Sequence, residues 1–344
     1  MDLKKLIDPE LAPALEMIPA DGSFNFDDLP SAREMSARMF AQMAALMPPV
    51  EGVDTRELSM PGPAGAPDIT ARMYTPKNVS GIKPGMLWIH GGGYILGDLE
   101  ADDHNIGRMC VNTGCVIVST NYRLAPEDPF PAPVEDCYAA LEWMVKNAES
   151  LGMDKTRIAI GGGSAGGGLA AGLALMARDR GEIDVAFQLL IYPMIDDRNI
   201  TPSSHNITDP RTWDREKNIF AWKSYLGDSK EDDNVSPYAA ASRAGDLSGL
   251  PPAFIAVGEL DLFVDEDIEY AQRLIQAGVS TELHVYPGAT HGFDSIFTAA
   301  VSKRFIRESD AVIAISRELA GNIPERLDVT GSRRSSQKNI KIRG

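Results

Sequence analysis

The chain contains few residues that bind metals or form disulfides. Its 344 residues include three cysteines and five histidines. Cys110, Cys115 and Cys137 cannot all pair with one another and lack the spacing of a metal site, so we expect reduced, buried thiols. The histidines are dispersed and none lies in a His-Glu-x-x-His motif, which argues against a catalytic metal.

The chain also lacks long apolar runs and an excess of positive charge. No segment approaches the roughly 20 apolar residues of a membrane span, and residues 1–10 have no apolar core of the length that a signal peptide requires. We therefore expect a cytoplasmic protein. The formal net charge is −16, which argues against a nucleic-acid partner.

The C-terminal stretch differs from the rest in charge. Residues 331–344 carry five basic residues and no acidic one. We interpret residues 323–344 as a C-terminal tail. The sequence leaves open whether this tail is an appended extension or an electrostatic docking arm.

The pattern that is present is an alternation of apolar strands and helices. Strands are predicted over residues 54–60, 69–75, 86–90, 115–120, 157–161, 187–192, 253–258 and 282–286. Helical patterns separate the later strands, including residues 135–148, 165–179, 265–277 and 299–319. This alternation predicts an α/β fold with a mostly parallel eight-stranded sheet and helices on both faces. The turn-forming residues 61–65 predict that the first two strands form an antiparallel hairpin.

Two segments interrupt this alternation. Residues 1–50 contain helical patterns before any strand, and residues 197–245 separate the sixth and seventh strands. We expect these two segments to form a cap over a core made of residues 51–196 and 246–322.

The cap segments contain large apolar side chains. Met39 and Met43 recur at helical spacing in the first segment, and Trp213 and Trp222 lie in the second. Such side chains either pack beneath the cap or form a pliable wall for a substrate, and the sequence leaves both open. Met39, Met43 and Trp222 are our candidate substrate contacts.

Ser164 follows an apolar run and is flanked by glycines, in the frame Gly162-x-Ser164-x-Gly166. A serine held at a sharp turn between a strand and a helix needs neighbours without side chains, because the backbone is strained and other segments pass close by. The pattern predicts a nucleophile, although a structural glycine turn would have a similar composition.

A dinucleotide-binding site is the other interpretation of this loop. Gly161, Gly163 and Gly166 formally satisfy the Gly-x-Gly-x-x-Gly fingerprint. That fingerprint needs an acidic residue about 20 residues further on, at the end of the next strand. The acids near that spacing, Glu182 and Asp184, precede the strand instead, so this interpretation is disfavoured.

A nucleophilic serine needs a base, and the base needs an acid that orients it. His291 lies in a glycine-bracketed turn after the last predicted strand, and is the candidate base. Asp261 closely follows the strand over residues 253–258 and is the candidate acid, with Glu259 in reserve. The chain order Ser164, Asp261, His291 is the order of an α/β-hydrolase triad.

A second glycine cluster follows the strand over residues 86–90. Consecutive glycines allow backbone N–H groups to approach the oxyanion that forms during acyl transfer. We expect Gly91 and Gly92 to donate to it, together with Ala165, which follows the nucleophile. Tyr94, next to these glycines, is a further candidate substrate contact.

Four motifs in this order resemble those of the bacterial hormone-sensitive-lipase-like esterases, or family IV, of the α/β-hydrolase superfamily. The resemblance covers roughly residues 50–320. The matching segments are His90-Gly-Gly-Gly-Tyr94, Asn121-Tyr-Arg-Leu-Ala-Pro-Glu127, Gly162-Gly-Ser-Ala-Gly-Gly167, and the pair formed by Asp261 and His291-Gly-Phe293. Three positions depart from the family pattern: Gly163 stands where Asp is common, Gly168 where Asn is common, and Leu262 where Pro is common.

The resemblance implies a carboxylic ester hydrolase that acts on short acyl chains without a metal or organic cofactor. It implies Ser164 as nucleophile, Asp261 as acid and His291 as base. We therefore predict a serine carboxylesterase that takes a small-molecule ester through an acyl-enzyme intermediate. Amide or lactone hydrolysis by the same triad, and a receptor that binds a small acid without turnover, are the alternatives. A homodimer through the last strand and helix, as in some relatives, stays open.

Overall fold

The computed structural model of the chain describes residues 3–19, 25–227 and 234–319. A single eight-stranded sheet runs through it, with the order β1-β2-β4-β3-β5-β6-β7-β8. The strands are β1 (Val53–Met60), β2 (Ile69–Pro76), β3 (Lys83–Ile89), β4 (Val116–Thr120), β5 (Met153–Gly163), β6 (Phe187–Ile191), β7 (Ala253–Leu260) and β8 (Thr281–Thr290). All eight predicted strands are confirmed.

The sheet is parallel except at its first edge. β2 pairs antiparallel with β1, from Val53 opposite Pro76 to Met60 opposite Ile69, and antiparallel with β4. The pairs from β4 through β3, β5, β6 and β7 to β8 are all parallel. The predicted hairpin and the predicted mostly parallel α/β sheet are therefore confirmed.

Helices cover both faces of this sheet. They are α1 (Leu3–Leu6), α2 (Ala12–Glu16), α3 (Leu29–Leu46), α4 (Asp103–Thr113), α5 (Ala132–Lys146), α6 (Ala165–Arg180), α7 (Pro202–Asn206), α8 (Arg215–Leu226), α9 (Val264–Gln276) and α10 (Ala300–Leu319). One apolar core forms beneath α5, α6 and α9, and another beneath α4 and α10. Strands such as β4 and β6 are buried along their whole length, which explains their continuous apolar sequences. In the described parts of the chain, no helix combines the length and apolarity needed to cross a membrane.

The two segments predicted to form a cap contact each other and the core. The Phe26 ring, just before α3, lies 5.3 Å from the Phe220 ring of α8. Arg33 of α3 donates to the Ile95 carbonyl at 2.8 Å and to both carboxylate oxygens of Glu127 at 2.7 and 2.8 Å. We propose that these segments form the cap. The predicted tail over residues 323–344 lies outside the described residues.

Candidate active site

Ser164 lies at the turn between β5 and α6. Its backbone has φ 56° and ψ −123°, a strained conformation for a residue with a side chain. The turn is held because the Ser164 N–H donates to the Ile191 carbonyl at 2.9 Å. A β-carbon on Gly162 would lie 2.4 Å from the Ile89 carbonyl oxygen. The glycine is therefore required by the close passage of β3, as the sequence motif predicts.

The structure brings Ser164, His291 and Asp261 into one hydrogen-bonded chain. His291 Nε2 lies 3.0 Å from Ser164 Oγ, and His291 Nδ1 lies 2.8 Å from Asp261 Oδ2. The Asp261 carboxylate is fully buried and also accepts the Phe263 N–H at 3.0 Å. A carboxylate at Nδ1 holds the proton on that nitrogen, which leaves Nε2 to accept the serine proton.

Strand direction explains why residues far apart in sequence meet here. β5, β7 and β8 run parallel, so the residues at their carboxyl ends reach the same edge of the sheet. Ser164 directly follows β5, Asp261 directly follows β7, and His291 directly follows β8. The reserve acid Glu259 instead lies exposed within β7 and accepts the Gly288 N–H at 3.0 Å.

The glycine loop after β3 passes close to Ser164. A β-carbon on Gly91 would lie 2.9 Å from the Gly163 carbonyl oxygen and 3.4 Å from Ser164 Cβ. Gly92 has φ +118°, and a β-carbon there would lie 2.2 Å from the Leu96 carbonyl oxygen. The loop therefore needs glycine at both positions. Ala165 is the first residue of α6 and lies beside Ser164. Of the three predicted oxyanion donors, Gly91 and Ala165 therefore border Ser164, and Gly92 lines the same cleft.

The sequence profile of the family described as alpha/beta hydrolase fold matches residues 86–295. The chain belongs to the α/β-hydrolase family. The matched range contains the glycine loop after β3 as well as Ser164, Asp261 and His291.

Similar proteins indicate which reaction this α/β hydrolase catalyses. Carboxylesterase NlhH of Mycobacterium tuberculosis is 37% identical over 290 residues, which cover 83% of this chain and 88% of the relative. Esterase LipI of the same species is 36% identical over 294 residues, covering 85% and 89%. The solved structure of a bacterial heroin esterase superposes with a TM-score of 0.87 at 48% identity, covering 91% and 98%. The chain is a carboxylic ester hydrolase of the hormone-sensitive-lipase-like group, which confirms the family resemblance.

A cleft of about 360 Å³ opens above Ser164 in this α/β hydrolase. Its walls include Ser164 and His291 from the core, and Met39, Phe40 and Trp213 from the proposed cap. Met39 therefore lines the cleft, and its contact with a substrate stays a prediction. The side chain of Met43 lies outside what the structure describes.

Tyr94 and Trp222 do not line this cleft, contrary to the sequence-based expectation. Both side chains are fully buried, with the Tyr94 ring 5.3 Å from the Trp222 ring and stacked at 4.0 Å on Tyr225. The Tyr94 hydroxyl donates to the Met194 carbonyl at 2.7 Å. The expectation is corrected: these rings pack against each other and Tyr225 in the protein interior.

The hydrogen bond between Tyr94 and Met194 explains why glycine stands at position 168, where the family commonly has Asn. A β-carbon on Gly168 would lie 2.1 Å from the Met194 carbonyl oxygen and 2.4 Å from the Tyr94 hydroxyl. A larger side chain at position 168 is therefore excluded by the hydroxyl and the carbonyl that it binds. Gly163 differs, because a β-carbon there would meet the Tyr192 ring at 3.5 Å, an ordinary contact distance.

Several cleft residues were not identified from the sequence. Tyr192 follows β6, and its ring lies 4.6 Å from the His291 ring while its hydroxyl donates to Asp294 Oδ1 at 2.6 Å. Trp88 donates its indole N–H to Asp102 Oδ2 at 2.8 Å. The signal available for Tyr192 was its position at the carboxyl end of a predicted strand, where site residues of parallel sheets collect.

Asp102 and Asp294, the partners of Trp88 and Tyr192, are carboxylates in an environment that disfavours their charged form. Burial raises the pKa of Asp102 to about 6, and repulsion from Asp294 and Asp98 adds to the effect. Burial likewise raises the pKa of Asp294, although the hydrogen bond from Tyr192 opposes that shift. Burial and the neighbouring Asp294 raise the pKa of the Tyr192 hydroxyl well above its ordinary range, so this hydroxyl stays a donor.

Proposed function

We propose that this carboxylesterase hydrolyses short-chain esters by a serine mechanism with an acyl-enzyme intermediate. The observation that carries the proposal is the hydrogen-bonded chain from Ser164 Oγ to His291 at 3.0 Å and from His291 to Asp261 at 2.8 Å. A serine hydroxyl becomes an effective nucleophile when a neutral imidazole accepts its proton. A carboxylate that holds the opposite ring nitrogen favours the required tautomer and stabilises the imidazolium.

The first half of the reaction transfers the acyl group to the enzyme. His291 Nε2 takes the Ser164 proton as Oγ attacks the ester carbonyl carbon, and the carbonyl oxygen becomes an oxyanion. The backbone N–H groups of Gly91, Gly92 and Ala165 then donate to it, and a single such donor lowers the barrier by about 3 kcal/mol. The tetrahedral intermediate then breaks its bond to the alcohol oxygen, which leaves with the proton from His291.

The second half returns the enzyme to its starting state. His291 accepts a proton from water, and the resulting hydroxide attacks the acyl carbon of the Ser164 ester. A second tetrahedral intermediate forms at the same oxyanion site. It releases the carboxylic acid, and Ser164 Oγ recovers its proton from His291.

The size and walls of the cleft support short acyl chains. A volume of about 360 Å³ is near the lower end of the roughly 300–1,000 Å³ found for ligand pockets. Met39, Phe40 and Trp213 reach into this space from the proposed cap. A long acyl chain would have to displace them. The cytoplasmic location expected from the sequence stays a prediction, and whether the protein forms a homodimer stays open.

The proposal is tested by measuring kcat/KM of the unchanged protein and of Ser164→Ala on three substrates: nitrophenyl acetate, butyrate and palmitate. We expect kcat/KM to be highest for acetate or butyrate, and Ser164→Ala to lose at least about 10³-fold on both. A preference for palmitate would contradict the short-chain part. Retained turnover in Ser164→Ala would contradict the serine mechanism. Matched anilides and lactones test the alternatives with the same triad.

A further inference from the structure

The charged side chains of the cleft wall fall into two classes. Besides histidines, the ionised groups that line it are Glu100, Asp102, Arg108, Arg211, Lys217 and Asp294. Four of them have a partner of opposite charge. These pairs are Glu100 with Arg72, Arg108 with Asp310, Arg211 with Asp209, and Lys217 with Asp214.

Asp102 and Asp294 form the second class. Among the described residues, neither carboxylate lies within salt-bridge distance of a cation, and each is instead held by a neutral donor. These donors are the Trp88 indole N–H at 2.8 Å and the Tyr192 hydroxyl at 2.6 Å. A neutral donor orients a carboxylate without cancelling its charge. His291 and Arg108 lower the pKa of Asp294 through their charges without forming an ion pair with it. The negative charge of this part of the cleft wall is therefore compensated only in part.

The two carboxylates share one region beside the triad. Both line the cleft that also contains Ser164 and His291, and repulsion from Asp294 contributes to the raised pKa of Asp102. The Tyr192 ring connects this region to the catalytic base, because one edge contacts the His291 ring at 4.6 Å and its hydroxyl binds Asp294. A substrate whose carbonyl lies at Ser164 can therefore extend another part of itself towards Asp102 and Asp294.

We propose that this region binds a positively charged group of the ester substrate, so that the enzyme prefers esters bearing a protonated or quaternary amine. The inference rests on the proposed serine esterase function and names its substrate class. An ammonium group would supply the opposite charge that the carboxylates lack. Trp88 and Tyr192, which line the same region, add aromatic rings to which such cations are attracted.

The donor set favours an organic cation over a metal ion. Carboxylates are hard ligands, and a bound divalent ion normally needs more of them or additional carbonyl and imidazole donors. Within the described ranges, no group of three or more acidic, histidine or cysteine side chains is arranged to hold a metal. The chain's net charge of −16 also raises the local concentration of cationic substrates at low ionic strength.

Matched substrate pairs test this preference. Acetate esters of tertiary and quaternary amino alcohols, with tethers of increasing length, are compared with isosteric esters in which carbon replaces nitrogen. For the tether that fits, we expect kcat/KM of the cationic ester to exceed that of its isostere about tenfold, the size of one favourable contact to a desolvated cation. The preference should weaken as salt is added.

Variants show whether the two carboxylates cause the preference. Asp102→Asn and Asp294→Asn each remove one charge but keep the shape of the side chain, and the ratio of the two kcat/KM values should fall towards one. Glu100→Gln is the matched control, because it removes a carboxylate from the same cleft that is already paired with Arg72. In that variant the ratio should stay as in the unchanged protein.

A preference for the neutral isostere, or a cationic preference that survives both asparagine substitutions, would overturn the proposal. Calorimetric binding to the Ser164→Ala protein separates this failure from failure of the esterase mechanism, since binding needs no turnover. Tighter binding of the cationic ester there supports the charged region even if Ser164 is not the nucleophile. Equal binding of cation and isostere overturns the charged region even if Ser164 is the nucleophile.

Discussion

The α-carbon of Gly166 faces the carbonyl oxygen of Ile89 so closely that a β-carbon on Gly166 would lie 2.0 Å from that oxygen. The contact joins the first turn of α6 to the end of β3 and so fixes the turn at Ser164 against the glycine loop that follows β3. Neither partner can move easily, because both are backbone of buried elements. The glycine is thus a packing requirement of the site.

Gly166→Ala should therefore destabilise the protein, whereas Gly163→Ala should not. We expect Gly166→Ala to lower the free energy of unfolding by about 3 kcal/mol or more, because a backbone clash cannot relax by side-chain rotation. Gly163→Ala adds a β-carbon at 3.5 Å from the Tyr192 ring and should change it by less than about 1 kcal/mol. Denaturant titration of the two variants measures both values. Equal stabilities would contradict the predicted contact.

Asp261→Asn should reduce turnover far more than Glu259→Gln. The amide cannot hold the proton on His291 Nδ1 as the carboxylate does, so kcat should fall about 10³- to 10⁴-fold on a short-chain ester. Glu259 is exposed and binds the Gly288 N–H at 3.0 Å, so its substitution should change kcat less than about threefold. The reverse order would show that Glu259 is the acid.

Asp267 in the first turns of α9 should destabilise the fold at neutral pH. It is fully buried, and among the described residues neither carboxylate oxygen has a hydrogen-bond partner. Burial, followed by the charges of Glu266 and Asp261, raises its pKa well above the ordinary value. The folded protein then keeps this proton to a higher pH than the unfolded chain does, so stability falls as pH rises above the ordinary carboxyl pKa.

Asp267→Ala should accordingly raise the free energy of unfolding by about 1–3 kcal/mol at about pH 8, and by less at about pH 4. Denaturant titrations at both pH values measure the difference. The exposed Glu269 of the same helix is the control position, since Glu269→Ala removes an acid without removing a buried one. A stabilisation that is equal at both pH values would contradict the explanation.

The preference for cationic esters should increase with pH. Asp102 has a pKa of about 6, so it is neutral below that pH and attracts a cation above it. Other charged groups surround Asp102. Asp98 and Asp294 raise its pKa further by repulsion, whereas Arg108 lowers the pKa of Asp294. The ratio of kcat/KM for the cationic ester to kcat/KM for its isostere should rise through about pH 6. Protonation of the catalytic base lowers both kcat/KM values by the same factor, so its effect cancels in the ratio.

His104 also lines the cleft, and a positive charge on its imidazole would repel a cationic ester. Asp102→Asn separates the two causes because it leaves this imidazole in place. The pH profile of the ratio should flatten in this variant. An unchanged profile would assign the effect to His104.

Much of this site follows from local sequence patterns. The positions of Ser164, Asp261 and His291 were predictable because each follows an apolar strand, and parallel strands end at one edge of a sheet. Their glycine neighbours were predictable because close backbone passage excludes side chains. These signals are short-range, so a single sequence contains them.

The remainder depends on contacts between distant segments. Tyr94 lies beside the oxyanion glycines in sequence, but the space that it occupies exists only because Gly168 of another element has no side chain. Asp102 and Asp294 are separated along the chain, and their neutral partners come from two different strand ends. Such tertiary arrangements leave no periodic or motif signal in the sequence.

The nucleophilic role of Ser164 is tested most directly by reaction with an organophosphonate, followed by mass measurement of the intact protein and of its peptides. The account predicts one adduct, on the peptide containing Ser164, with loss of esterase activity in proportion to labelling and no adduct in Ser164→Ala. An enzyme that hydrolyses short-chain esters while Ser164 remains unlabelled, or a Ser164→Ala protein that is labelled equally, would contradict it.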